Sequence, residues 1–426
     1  MNYENTPTFA AAQDQIDPLN TFRSQFHIPK RNGEDCIYFC GNSLGLQPKL
    51  TEQYIQQELD NWKANGVEGH FSEDRPWVNY HDLSKASLSR LTGGKEHEVV
   101  CMNNLTTNLH LLLASFYQPK GKRVKLMIEG GAFPSDHYAA ESHMKRMGVD
   151  PKEHLITLKP AKGAIFSTQE IEDAVRQYGE ELALVLFPGV QYYTGQFFDM
   201  KAIAKAAHEV GAYAGFDLAH AVGNLPLTLH DDDVDFATWC SYKYVNSGPG
   251  GMSGIFVHER HSNDPDFPKL TGWWGHDRKT RFKMDNHFVP NQGVDAWMLS
   301  NQNIISSAAH LASLAVFDQT SMQELRAKSI NLTGYLEHLL LTDPIIAEHI
   351  DILTPSNPAE RGCQLSVFID QNGKAIFDGL IEAGVILDWR EPNVIRVAPT
   401  PLYNSFTDVW NFCDIFKKLI QQHASK

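Results

Sequence analysis

The chain has 426 residues, 42% of them hydrophobic and 21% charged, which argues against a disordered segment or a small module and leaves room for two or three domains. Its 37 basic and 51 acidic residues give a formal charge of −14, so neither nucleic acid nor an anionic membrane is expected as a partner held by a general electrostatic field. Six scattered cysteines show neither CxxC pairs nor a disulfide framework, and reduced thiols with no metal site are expected.

The N-terminal residues (MNYENTPTFAAAQDQIDPLN) have no basic patch followed by an apolar run. No stretch approaches the roughly 18–20 apolar residues that cross a bilayer. A cytoplasmic protein is therefore expected. The first strong periodicity, QPKLTEQYIQQELDNWKA at 47–64, predicts an amphipathic helix after a proline. Short β-rich runs follow at 124–130, 183–189, 213–219, 236–242 and 253–259, interleaved with helical spacing at 106–117 and 200–211. This alternation predicts an α/β fold around a largely parallel sheet. Helical spacing returns over about 301–342, and QLSVFI (364–369), a helix near 373–383, IRVAP (395–399) and a terminal helix near 406–422 read as a smaller α+β domain. The expected division is an N-terminal segment at 1–75 that contributes to the small domain, a large domain at 76–320 and a C-terminal small domain at 321–426.

The strongest local chemical signal is TWCSYKYVNSGPGG (238–251), where Lys243 follows an apolar strand and precedes a glycine-rich turn. A lysine so placed can lose its proton and form an imine, although a snorkelling surface lysine fits the same residues. Asp217 ends the preceding strand, 26 positions upstream. A carboxylate there can hold a pyridine nitrogen protonated, so that the ring accepts electrons; alone, it reads equally as a cap or turn residue. His220 could brace Asp217 or the ring, or be a satisfied core histidine.

The run NNLTTNLHLLL (103–113) opens a helix whose free N–H groups at Leu105 and Thr106 suit a phosphate, and ordinary capping suits the same residues. In GGAFPSDHYAAES (130–142), Phe133 can offer a flat face to a heteroaromatic ring while Asp136 points a carboxylate at its substituents. PNVIRVAPTPLYNSF (392–406) places Arg396 in an apolar strand, where a guanidinium needs an anion: an internal Asp or Glu, or the α-carboxylate of a substrate.

Taken together, YFCGNSLGLQP (38–48), AFPSDHYA (132–139), GFDLAHAVGN (215–224), CSYKY (240–244), GWWGH (272–276), TRFKMDN (280–286), RGCQLS (361–366) and IRVAPTPLYNSF (395–406) make the chain resemble the kynureninases over nearly its whole length. The resemblance implies a fold-type-I pyridoxal phosphate transferase fold, with a mainly parallel seven-stranded sheet in the large domain. It further implies hydrolytic Cβ–Cγ cleavage of L-kynurenine or L-3-hydroxykynurenine, giving anthranilate or its 3-hydroxy form plus L-alanine, in tryptophan catabolism and NAD biosynthesis. Carried over by position, it makes Lys243 the Schiff-base lysine and Asp217 the pyridinium partner, with Phe133, Asp136 and His220 about the ring. Leu105, Thr106, Tyr242 and Trp273 would bind phosphate, and Tyr242 would also be an acid and base. Arg396 would clamp the α-carboxylate. His70, Trp274, Ser300 and Asn301 would meet the aromatic end of the substrate, and Asn301, reaching over from the neighbouring subunit of a homodimer with active sites at the interface, would also contact the cofactor. A cysteine desulfurase or aminotransferase would share Asp217 and Lys243, but Cys363 in RGCQLSVFI reads as a strand thiol rather than a mobile nucleophile. A non-catalytic scaffold of the same fold would be marked by loss of the lysine, which is present.

Overall fold

The computed structural model describes residues 2–424. Seven strands form the large sheet: β1 (Val99–Cys101), β2 (Lys125–Glu129), β3 (Leu155–Leu158), β4 (Leu182–Pro188), β5 (Tyr213–Asp217), β6 (Phe236–Cys240) and β7 (Ser253–Val257). Their order is β1-β7-β6-β5-β4-β2-β3. Strands β2 to β6 run parallel, whereas β7 is antiparallel to both β6 and β1. The sheet is thus mainly parallel, as expected, and the run at 253–259 is its antiparallel exception.

Every residue of β4 is buried, because helices cover both faces of the sheet. Alternate side chains go to opposite sides: Val185 and Phe187 enter one apolar cluster, Leu184 and Leu186 the other. Both amphipathic helices beside it have side-chain caps. Ser167 and Glu170 form a capping box on Thr168–Tyr178, and Asp199 caps Met200–Glu209. The carboxyl ends of β2, β4, β5 and β6 therefore bring Glu129, Pro188, Asp217 and Cys240 to one edge, where α/β sheets place ligands.

A second sheet is wholly antiparallel, with β8 (Ile350–Ile352), β9 (Leu365–Ile369), β10 (Asp388–Arg390) and β11 (Val394–Val397) in the order β8-β9-β11-β10. Residues of the helices Met322–Thr342 and Phe406–Ala424 fill its core, together with Ala10 and Phe39 from the N-terminal part of the chain. Ile37–Tyr38 also pairs in parallel with Val385–Ile386.

Two helices replace the continuous helical stretch anticipated over 301–342. Ile304–Phe317 ends at Asp318, and Ser321 with Glu324 forms the capping box that starts Met322–Thr342. The helix anticipated at 47–64 begins three residues later, at Leu50, and packs on Ile304–Phe317.

Candidate active site

A cavity of about 210 Å³ opens at the carboxyl edge of the large sheet, walled by Pro188, Asp217 and Cys240 from three strand ends and by Arg390 and Arg396 from the second sheet. Lys243 lies in the loop just beyond β6. Its Nζ donates to Nε2 of His220 at 3.0 Å and stands 5.9 Å from the ring centre of Phe133. Burial, followed by the charge of Lys243, holds His220 well below the usual histidine range. The ring is therefore neutral and can accept at Nε2, while its Nδ1 has no partner among the described residues.

Asp217 accepts from the backbone N–H of Ala219 at 2.7 Å and is 6% exposed. The carboxyl of Asp136 hydrogen-bonds to it. Burial first, and then the charge of Asp217, push Asp136 well above the carboxylate range. Asp217 is itself raised by burial, against the opposing pull of Lys243. Two like charges cannot both persist so close together out of water, so Asp136 keeps a proton and donates it to Asp217. The other oxygen of Asp136, Oδ1, has no partner among the described residues.

At the next corner two helices begin. Leu105–Phe116 starts with Leu105 and Thr106 in the cavity wall, and Pro134–Arg146 starts with Ser135 and Asp136 there. The hydroxyls of Thr106 and Ser135 are 2.8 Å apart, so two helix N-termini converge on a pair of hydroxyls, a natural seat for a phosphate. Ser135 was missed in the sequence reading. Its signal was present, since it follows Pro134 at the first position of a helix.

Tyr242 lines the cavity, with its phenol raised by burial and then by Cys240, so it remains protonated. Its carbonyl accepts from the backbone N–H of Gly45 at 2.9 Å. A Cβ at position 45 would lie 2.1 Å from Oδ1 of Asn246 and 2.3 Å from the carbonyl of Lys243. The glycine in YFCGNSLGLQP thus lets that segment close against the lysine loop. The neighbouring Asn42 and Ser43 reach the cavity wall, a placement no local pattern announced.

Arg396 is 1% exposed. Its Nη1 donates to the carbonyl of Tyr192 at 2.9 Å and its Nη2 donates to Oδ2 of Asp388. Of the two anions left open by the sequence, the internal carboxylate is therefore present, while Nε of Arg396 has no partner among the described residues.

Five anticipated site residues stay away from this cavity within one chain. His70 donates from Nδ1 to the carbonyl of Val67 at 3.0 Å and sets its ring edge-on to Trp77. Trp273 is 46% exposed and donates to the carbonyl of Arg281. Trp274 is buried under the guanidinium of Arg281, 4.4 Å from its ring centre; this cation–π packing makes it core rather than cavity wall. Ser300 and Asn301 lie exposed before the helix Ile304–Phe317. Cys363 is fully buried beside Tyr244 and Ala398, with its thiol pushed up to about 12 by burial, so it is no mobile nucleophile.

The walls fit pyridoxal phosphate. A phosphate seat, an amine, a neutral imidazole and an acid pair with an unpartnered oxygen surround one cavity of suitable shape for a flat ring.

Comparison with known proteins agrees. Residues 325–416 match the family model of the kynureninase C-terminal domain. A kynureninase of Flavobacterium johnsoniae is 49% identical over 420 residues, covering 98% of this chain and 99% of the relative. One from Xanthomonas euvesicatoria pv. vesicatoria is 50% identical, covering 95% and 96%. Among solved structures, the apo cysteine desulfurase of Thermococcus onnurineus NA1 superposes with a TM-score of 0.74 at 16% identity, over 91% of this chain and 95% of its own. A mutant of C-DES with glycine covalently linked to its PLP cofactor has the same TM-score and identity, over 89% and 96%. At that identity these two share the fold-type-I architecture alone.

Proposed function

The chain belongs to the kynureninase family, and from that premise we propose that its cavity binds pyridoxal phosphate and hydrolyses the Cβ–Cγ bond of kynurenine, releasing anthranilate and L-alanine. What carries the reading is the meeting of Lys243, Asp217 and Arg396 in one cavity of a chain about half identical to kynureninases over its length. Bound there, the cofactor supplies an aldehyde that joins to amines and a ring that takes up the electrons of a breaking bond.

The residues then divide the work. Nζ of Lys243 would be the amine that holds the cofactor, and as a free amine it would serve as the base for the Cα proton. Neutral His220 accepts from that nitrogen and keeps it aimed. Asp217 would carry the charge that keeps a ring nitrogen protonated, and Asp136, by keeping its proton, holds the buried acid pair at a single negative charge. Thr106, Ser135 and the two helix N-termini hold the phosphate. Arg396 takes the α-carboxylate, and Tyr242, protonated at neutral pH, donates a proton to the departing fragments. One water is consumed for each bond cleaved. 3-Hydroxykynurenine fits the same scheme, giving 3-hydroxyanthranilate.

The protein works as a homodimer in this reading. Trp273, Phe282 and Phe71 form an exposed aromatic group, and Asn301, Ser300 and Trp273 would complete the partner's cavity, where exposed apolar surface marks an interface. No helix among the described residues is long and apolar enough to cross a membrane. The free thiols suit a cytoplasmic setting.

The test is turnover of kynurenine and 3-hydroxykynurenine followed by alanine release, with Lys243→Ala as control. Wild-type protein turns over at least one of them, and the variant falls by several orders of magnitude. Equal rates in both proteins would remove Lys243 from the mechanism.

A further inference from the structure

Two guanidiniums, Arg390 and Arg396, lie in the cavity wall, and a single carboxylate stands behind them. Asp388 is outside the wall. Its Oδ2 receives three donors: Oγ of Ser43 at 2.8 Å, Nη2 of Arg390 at 3.1 Å and Nη2 of Arg396. The arrangement is built into the second sheet, since β10 and β11 are antiparallel with Asp388 directly opposite Arg396. Cross-strand partners in such a pair project to the same face. With Nη1 of Arg396 tied to Tyr192 and Nη2 tied to Asp388, the guanidinium plane is fixed at two points, and Nε remains buried without a partner among the described residues.

Charge counting gives this corner a second property. Two positive groups and one negative group leave a single net positive charge, enough to match one carboxylate.

We propose that Asp388 is a positioning residue for substrate recognition, bracing Arg396 from behind so that its free N–H groups face the α-carboxylate and matching the charge of the arginine pair to one anion. The inference rests on the reading of Arg396 as the carboxylate clamp. Asp388 touches neither substrate nor cofactor. Its effect is on orientation: a substrate carboxylate tethered to a reacting Cα needs the fork in one plane, whereas a small free anion does not.

The experiment compares the wild-type holoenzyme with Asp388→Asn by steady-state kinetics with kynurenine, together with formate as a competitive inhibitor. The KM for kynurenine rises roughly 10- to 100-fold, the size of effect seen when a group orienting a binding residue is removed, while kcat falls much less. The inhibition constant of formate stays the same or drops, because the corner now carries two net positive charges. Asp388→Glu restores part of the KM and carries the same test if the asparagine variant does not accumulate as holoenzyme. A KM within about twofold of wild type, a loss confined to kcat, or parallel weakening of kynurenine and formate would each overturn the proposal. Arg396→Gln separates the two levels: if it leaves KM unchanged, the clamp itself fails, whereas a raised KM there with a silent Asp388→Asn sinks the role of Asp388 alone.

Discussion

Glu129 closes β2 just before the loop that leads through Phe133 into the helix carrying Asp136, and it is 3% exposed. Its Oε1 accepts from the N–H of Gly131 at 2.7 Å, while Oε2 has no partner among the described residues. Burial pushes the carboxyl from 4.5 up to about 7. A raised carboxyl pKa means that the folded protein favours the neutral acid. The associated stability is intact below pH 4.5 and is lost as pH rises through about 7. A difference of 2.5 between the two values corresponds to about 3 kcal/mol in full, most of it falling between roughly pH 5 and pH 8. Glu129→Gln cannot ionise and escapes that loss. At about 2.1 cal/mol/K per residue, unfolding the 426-residue chain has an entropy near 0.9 kcal/mol/K, so the gain is about 3 °C in Tm. The assay is thermal unfolding of the cofactor-free protein at both pH values, comparing variant with wild type so that other titrations cancel. A difference in Tm between the proteins that does not change with pH would refute the reasoning.

Three further outcomes follow from the geometry. Ser135→Ala removes one hydroxyl of the phosphate seat and weakens pyridoxal phosphate binding roughly 10-fold, the cost of one hydrogen bond to a charged group; titration of the cofactor absorbance measures it, and unchanged affinity places the phosphate elsewhere. Gly45→Ala forces a Cβ into Asn246 and the carbonyl of Lys243, costing about 1–3 kcal/mol; lower thermal stability and cofactor occupancy are expected, and wild-type values for both would show that the loop yields freely. Cys363→Ala removes a thiol sealed in the core and retains kynurenine turnover after a stability loss of about 1 kcal/mol; loss of turnover in a folded, cofactor-loaded variant would give the thiol a chemical role.

The motif around Lys243 and Asp217 was legible because strand, strand end and turn are local features, each written in contiguous residues. The convergence on Thr106 was half legible: its helix start could be seen, but its meeting with Ser135 joins two helices from different parts of the chain. The packing of Trp274 was not legible for a related reason. A tryptophan in a loop between elements carries no mark of whether its ring faces a cavity or lies under Arg281. Ser300 and Asn301 lie exposed, away from the cavity of their own chain.

By itself, then, the sequence determined the alternation of strands and helices, the lysine and carboxylate at neighbouring strand ends, and the family to which those motifs belong. The first two depend on periodicity and spacing, which act over a few residues, and the family on a resemblance of whole motifs. Only the tertiary structure showed that an internal carboxylate already answers Arg396 from one side. The sequence allowed an internal acid or a substrate carboxylate, and the antiparallel register of β10 against β11 set Asp388 opposite the guanidinium. It also decided that Asp136 and Asp217 share a proton, because two acids 81 positions apart perturb one another only when folding buries them side by side. Register and burial are properties of the packed chain, and the charge state of this site follows from both.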